Sequence, residues 1–309
     1  MPKTIKFTVA ICTRNRPRFA SKLLKQLSVQ TTVPTQYLFI ENTTENQYFS
    51  HKKLNKILKH TQVDYVTTKG QNLAVSRNLC LKLSKYNQLI ILDDDILLKP
   101  DTFTKIILSF QKYPKATGFT TRTIHHRLGN YSTFTNYWYN CGYLDTTAPT
   151  ISEFTPTTVL ALDVAKLKQY QIHFNENISH AEDMDFFCQI KEKNLTLYYL
   201  PNIVALHFFG ERFGFYEYLN RFYEWGYNIC SLKKIYLSML GINQLVPPTK
   251  YHPLLSPLFC IKKTFIATYN FKKYNQSLPV RLLPLAILAF YSYILGIYQA
   301  TKLKDFYSN

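Results

Sequence analysis

At 309 residues, 46% hydrophobic and only 18% charged, the chain is long enough for one large domain with an appendage and too apolar to be disordered. A formal net charge of +18 suits anionic partners: nucleic acid, a membrane surface or phosphorylated substrates. The six cysteines (Cys12, Cys80, Cys141, Cys188, Cys230 and Cys260) have no paired spacing, which argues against a zinc knuckle or disulfide framework and for a reducing compartment, and the first apolar run is too short for a signal peptide.

Short apolar runs then alternate with helical patterns. "KFTVAIC" (6–12) reads as a strand and "RFASKLLKQLSVQ" (18–30) as a helix with apolar spacing near 3.6. "QYLFIE" (36–41), "VDYVTT" (63–68) and "QLIIL" (88–92) are the next strands. "HKKLNKILKH" (51–60), "NLAVSRNLCLKLSKY" (72–86) and "DTFTKIILSFQKY" (101–113) are the helices that follow each of them. This alternation predicts an α/β domain built on a mainly parallel sheet with helices on both faces. Ligands bind such sheets beyond the carboxyl ends of the strands, which is where Thr13, Arg14, Asn15, Glu41 and Asp93 to Asp95 fall.

Residues 120–156 lack a regular pattern and read as loops; Tyr137, Trp138, Tyr139 and Tyr143 crowd them, offering either sugar-stacking faces or core packing. "TTVLALD" (157–163) is a strand and "AEDMDFFCQIKEKN" (181–194) a helix with Glu182, Asp183 and Asp185 in its first turn, at the positive end of the helix dipole. "LTLYYL" (195–200) and "IVALHFF" (203–209) read as two further strands. Beyond residue 215 the chain turns basic and aromatic. Residues 216–309 hold eleven Lys and Arg against three Asp and Glu, and 216–240 read as a helix. Residues 282–301 carry no charge, which is about the length that crosses a bilayer. Pro284, Tyr291, Ser292, Tyr293, Tyr298 and Gln299 weaken a spanning reading, and a helix lying in the interface explains the composition at least as well.

The chemistry concentrates in "LDDDILLKP". The chain has ten Asp, and three of them stand together at 93–95 between two apolar runs. Adjacent carboxylates repel, and a bound divalent cation is the simplest offset.

"VAICTRNRP" (9–17), "KGQNLAVSRN" (69–78), "LIILDDDILLKPD" (89–101) and "HAEDMDFF" (180–187), in that order, resemble the motifs of family 2 glycosyltransferases with the GT-A fold. The resemblance spans roughly residues 5–210 and leaves the tail outside it. It implies a Rossmann-like GT-A domain over 1–215, with a nucleotide-sugar half (1–115) and an acceptor half (116–215); the basic, aromatic composition of 216–309 predicts a mostly helical region that associates with a membrane through 250–309. It also implies a nucleotide-sugar donor, a UDP-sugar foremost, and an Mn2+ or Mg2+ ion that offsets charge on the diphosphate leaving group. By position in the motifs, Asp93 faces the nucleotide and shares the metal with Asp95, Asp94 shares either role, and His207 is a metal ligand, a diphosphate contact or a core histidine. The general base lies in the Glu182–Asp183 pair, most often at the Asp, and attack from the face opposite the diphosphate inverts the anomeric centre. Thr13, Arg14, Asn15 and Glu41 hold base and ribose. Arg14 or Arg16 contacts phosphate, Asn72 lies in the lead-in to Arg77, and Arg77 meets the pyrophosphate or pairs with the aspartates. The implied setting is the cytoplasmic face of the membrane, with a glycan or lipid-linked acceptor in cell-envelope synthesis. The rival reading that the charge suggests is a metal-dependent nucleotidyltransferase or nuclease, but no nucleic-acid-binding motif supports it. A catalytically dead binding protein is a third, opposed by the retained acidic motifs.

Overall fold

The computed structural model describes residues 5–44, 47–58, 61–125, 147–152, 157–178, 181–208, 215–229, 232 and 283–307. Strand β1 (Phe7–Arg14) leads into helix α1 (Pro17–Leu27). β2 (Gln36–Asn42), α2 (His51–Ile57), β3 (Gln62–Thr68) and α3 (Leu73–Leu83) follow, then β4 (Gln88–Asp93), β5 (Ile96–Leu97) and α4 (Thr102–Lys112). The second half holds β6 (Gly118–His125), β7 (Thr150–Ile151), β8 (Val159–Asp163), α5 (Val164–Gln169), α6 (Glu182–Glu192), β9 (Leu197–His207), α7 (Phe215–Ile229) and α8 (Leu283–Tyr307).

The nine strands among the described residues form one sheet in the order β3-β2-β1-β4-β8-β6-β9-β5, with β7 pairing β9. β3, β2, β1 and β4 are parallel. β1, β2 and β4 are buried on both faces, so their alternate residues feed two cores, while β3 at the edge is largely half-exposed. Phe7, Val9 and Ile11 of β1 face Leu23, Leu24 and Leu27 of α1 and Phe103 and Ile106 of α4. Ala10 and Cys12 face Ala74 and Cys80 of α3, and Phe186, Phe187 and Ile190 of α6 join that second core.

The sheet is mixed, which corrects the mainly parallel expectation. β8 runs antiparallel to both β4 and β6, while β6 and β9 are parallel to each other. Strand direction depends on crossovers that local periodicity does not record. The two strands read at 195–200 and 203–209 are one, β9. Its register against β6 jumps from Leu200 to Val204, so Pro201, Asn202 and Ile203 bulge out of the ladder where a proline N has no hydrogen to donate. β6 and β7 occupy ground read as loop. Tyr137, Trp138, Tyr139 and Tyr143, the stretch 233–240 and the tail at 250–282 lie outside the described residues.

The apolar run after the aspartates holds β5, which pairs antiparallel with β9, Ile96 against His207. Only Asp94 and Asp95 separate β4 from β5, a reach of roughly 11 Å from Asp93 to Ile96. The far side of the sheet must therefore curl back until the end of β9 stands beside the end of β4. α7 and α8 pack against each other backbone to backbone: a Cβ on Gly226 would stand 1.9 Å from the Tyr293 carbonyl oxygen, and one on Gly296 would stand 2.0 Å from that of Tyr223. Among the described residues, no helix is long and apolar enough to cross a membrane.

Candidate active site

The parallel strands end together. Thr13 is level with Glu41, Cys12 with Asp93, and Asn42 with Thr68, so the first three groups sit on one edge of the sheet. The curl then fixes the triplet from two sides. The Asp93 amide donates to the Thr158 carbonyl oxygen (3.1 Å) and the Phe208 amide to the Asp95 carbonyl oxygen (2.8 Å). His207 thereby arrives with Nε2 3.2 Å from Asp95 Oδ1.

Asp93, Asp95 and His207 each offer one ligand atom, and these atoms lie within 4.8 Å of one another. Asp95 Oδ1 is buried and, among the described residues, accepts no hydrogen bond of good geometry. Two carboxylate oxygens and one imidazole nitrogen are a donor set that Mn2+ accepts, so the residues present fit a divalent cation. Asp94 points elsewhere, into a contact with Thr13, whose hydroxyl donates to Asp94 Oδ2 at 2.5 Å. Burial, reinforced by Asp95 and Asp93, pushes Asp94 up to about 7 against the pull of Arg16 and Thr13. Burial also works to raise Asp95, but His207 and Arg16 outweigh it and hold that carboxyl at about 2.

A second group of carboxylates starts α6. Ala181, the residue before the helix, takes a left-handed backbone with φ +74°, a strained setting for a side chain with a Cβ. Glu182 turns inward and its Oε1 lies 2.9 Å from Arg77 Nη1, while Arg77 Nη2 is 3.3 Å from Asp93 Oδ1. Arg77 is only 2% exposed and its guanidinium lies 5.4 Å from the centre of the Phe174 ring. One buried cation thus ties the end of β4 to the start of α6. Burial raises the Glu182 carboxyl, with Arg77 opposing. Asp183 is partly exposed and pairs with no basic side chain among the described residues; its Oδ1 accepts only the Met184 amide (2.8 Å). Its close-packed surroundings, then the neighbouring Glu182, push its carboxyl up to about 7. Asp185 turns away and accepts from Gln189 Nε2 at 2.6 Å.

Glu41 is 1% exposed and both its oxygens are engaged, by the Tyr48 amide (2.9 Å) and the Tyr65 hydroxyl. Asn72 caps α3, accepting from the Val75 amide (3.0 Å), and donates to the Glu176 carbonyl oxygen (2.5 Å). Asn15 has a left-handed backbone (φ +51°) and donates to Thr44 Oγ1 at 3.1 Å. Arg14 is exposed and makes no ion pair among the described residues. Arg16 was weighed only as a phosphate contact, yet it bridges two of the aspartates: Nη2 is 2.6 Å from Asp94 Oδ1 and Nη1 is 2.5 Å from Asp95 Oδ2. The motif "TRNRP" puts it just past a strand end, but nothing local ties it to residues nearly eighty positions away.

Residues 8–160 match the family described as Glycosyl transferase family 2. No curated protein matches the sequence. Among solved structures, S. aureus TarS 1-349 is 15% identical over 97% of this chain and 91% of its own, with a TM-score of 0.57. The same fragment in complex with UDP-GlcNAc is 13% identical over 97% and 92%, with a TM-score of 0.56. The mannosyltransferase PcManGT from Pyrobaculum calidifontis, in complex with GDP-Man and Mn2+, is 11% identical over 96% and 88%, with a TM-score of 0.62. At these identities the likeness is one of fold: a GT-A-like α/β domain with a mixed central sheet.

Proposed function

We propose that the chain is a family 2 glycosyltransferase, the family that its residues 8–160 match, and that it carries out a metal-dependent, inverting transfer of a sugar from a nucleoside diphosphate sugar to an acceptor hydroxyl. The observation that carries this reading is the pairing of two carboxylate groups at one sheet edge through Arg77: Asp93, Asp95 and His207 on one side, Glu182 and Asp183 on the other. Asp93, Asp95 and His207 would hold the cation. When bound, it supplies charge neutralisation to the departing diphosphate. Asp94, held by Thr13, backs the triplet rather than reaching for the ligand.

Asp183 is the general base. It lacks an ion-pair partner among the described residues, and a carboxyl raised to about 7 is matched to taking a proton near neutral pH. It accepts the acceptor's hydroxyl proton as that oxygen forms its bond to the anomeric carbon. The bond to the diphosphate breaks on the opposite face, which inverts the centre. Glu182 is engaged by Arg77, so its task is to fix Arg77 and the start of α6. Thr13, Arg14, Asn15, Glu41 and Asn72 surround the nucleoside, with Glu41 and Asn72 acting by shaping the loops they hydrogen-bond.

The donor half is 1–115, the acceptor half 116–215, and the region beyond binds the membrane surface. A UDP-sugar is the donor; TarS and PcManGT were solved with UDP-GlcNAc and with GDP-Man and Mn2+ respectively. The basic, aromatic composition of 216–309 favours a lipid-linked or envelope glycan acceptor at the inner membrane face. Thermal shift with a panel of nucleotide sugars, with and without Mn2+, tests this. One donor class should stabilise the wild type only with the cation, and Asp95→Ala should remove the effect. No shift with any donor would sink the proposal.

A further inference from the structure

Arg16 has no task in the transfer just described, although it makes the two tightest ion pairs in the site. Its fork is divided between Asp94 Oδ1 and Asp95 Oδ2, so one oxygen of a carboxylate that the cation needs already carries a guanidinium. The partners differ in exposure: the Arg16 side chain is 42% exposed, those of Asp94 and Asp95 0% and 6%. Arg16 reaches in from solvent, at the cap of α1, on a turn set by the left-handed Asn15 and closed by Pro17 at the first helical position. Its side chain already opens to solvent, whereas that of Arg77, at 2% exposure, does not.

Three adjacent carboxylates need positive charge nearby in every state. A divalent cation at Asp93, Asp95 and His207 and a guanidinium on Asp95 would supply more than that, and would repel each other at close range. A nucleoside diphosphate brings new negative charge in a geometry that an arginine fork matches. Resting on the reading of Asp93, Asp95 and His207 as a cation site, we propose that Arg16 is an exchangeable counter-ion. It holds Asp94 and Asp95 while no cation is bound, yields Asp95 to the cation, and turns its guanidinium to the donor's diphosphate. It is a positioning residue for the loaded state and a competitor of the cation in the free one. Cation and diphosphate then bind synergistically, each strengthening the other.

Mn2+ titrations of wild type, Arg16→Gln and Arg16→Lys, first without nucleotide and then with UDP and GDP in parallel, read both halves. Arg16→Gln should bind Mn2+ alone at least about tenfold more tightly than wild type, the scale of one lost charge-assisted hydrogen bond. With Mn2+ saturating, it should bind the nucleoside diphosphate at least about tenfold more weakly. Arg16→Lys keeps the charge but loses the fork, and should fall between on both measures. It carries the test if circular dichroism shows that Arg16→Gln does not fold. A purely structural Arg16 would weaken both affinities together. That result, or an Arg16→Gln variant with wild-type Mn2+ affinity at a site that His207→Ala weakens, overturns the exchange alone. A wild type that binds no Mn2+ with or without nucleotide overturns the cation site as well.

Discussion

Replacing Arg77 by Met removes one buried cation and keeps its volume. Two carboxylates then lose their partner: Glu182, with a side chain 9% exposed, at 2.9 Å, and Asp93, 21% exposed, at 3.3 Å. Breaking a buried pair from one side costs about 3–5 kcal/mol, because the remaining charge stays desolvated. At about 2–4 °C per kcal/mol for a chain of this class, the melting temperature should fall by roughly 6–20 °C at pH 8. The pH dependence has a definite sign. Without Arg77 the folded-state pKa of Glu182 rises further above its unfolded value than burial already sets it. Such a group favours the folded state at low pH and loses that favour as pH rises through its folded pKa. The gap between wild type and variant should therefore narrow between pH 8 and pH 5.5 in thermal unfolding followed by circular dichroism. A second variant, Arg77→Met with Glu182→Gln, should recover part of the loss, since the stranded charge is gone. A gap below about 1 kcal/mol at pH 8, the size of an exposed pair, would refute the buried-clamp reasoning, as would a gap that ignores pH.

Transfer by the wild type should rise with pH through about 7, because only deprotonated Asp183 accepts a proton; the initial rate should fall about tenfold per unit below that point. His207→Ala should weaken Mn2+ binding at least about tenfold in a direct titration while leaving the fold intact, as the histidine closes the ligand triangle from β9. Gly226→Ala should lower thermal stability by about 1–3 kcal/mol, since the new methyl meets the Tyr293 carbonyl oxygen at 1.9 Å and backbone must move; an unchanged midpoint would mean that α7 and α8 do not cross so closely.

What the sequence made legible follows from burial. β1, β2 and β4 sit in the middle of the sheet with both faces covered, so they read as unbroken apolar runs, and the polar residues after them mark the ligand edge. The acidic first turn announced α6, whereas Asn72 was legible only as the start of the third helical run and not as its side-chain cap. β5 has two residues, and β6 is threonine-rich and short of the alternation that separates strand from loop. Pro201 divided β9 into two runs because a three-residue bulge is a tertiary accommodation. In the site, residue types were readable but partners were not. Glu41 looked available and is held by Tyr65 from the neighbouring strand. Arg77 was legible through the family resemblance as a partner of the pyrophosphate or of the aspartates, and it does pair with Asp93, but its second partner, Glu182, 105 positions away, was not. Arg16 reaches Asp95 across 79 positions, a contact made only when α1 and the β4–β5 turn come together.

Release of nucleoside diphosphate in the presence of acceptor and Mn2+ tests the central claim most directly, with Asp183→Asn run beside the wild type on the same donor. The wild type should release it from at least one nucleotide sugar and stop when the cation is chelated. Asp183→Asn should bind that donor with the same affinity and fail to transfer. No release from any donor, or transfer by Asp183→Asn at the wild-type rate, would contradict the account.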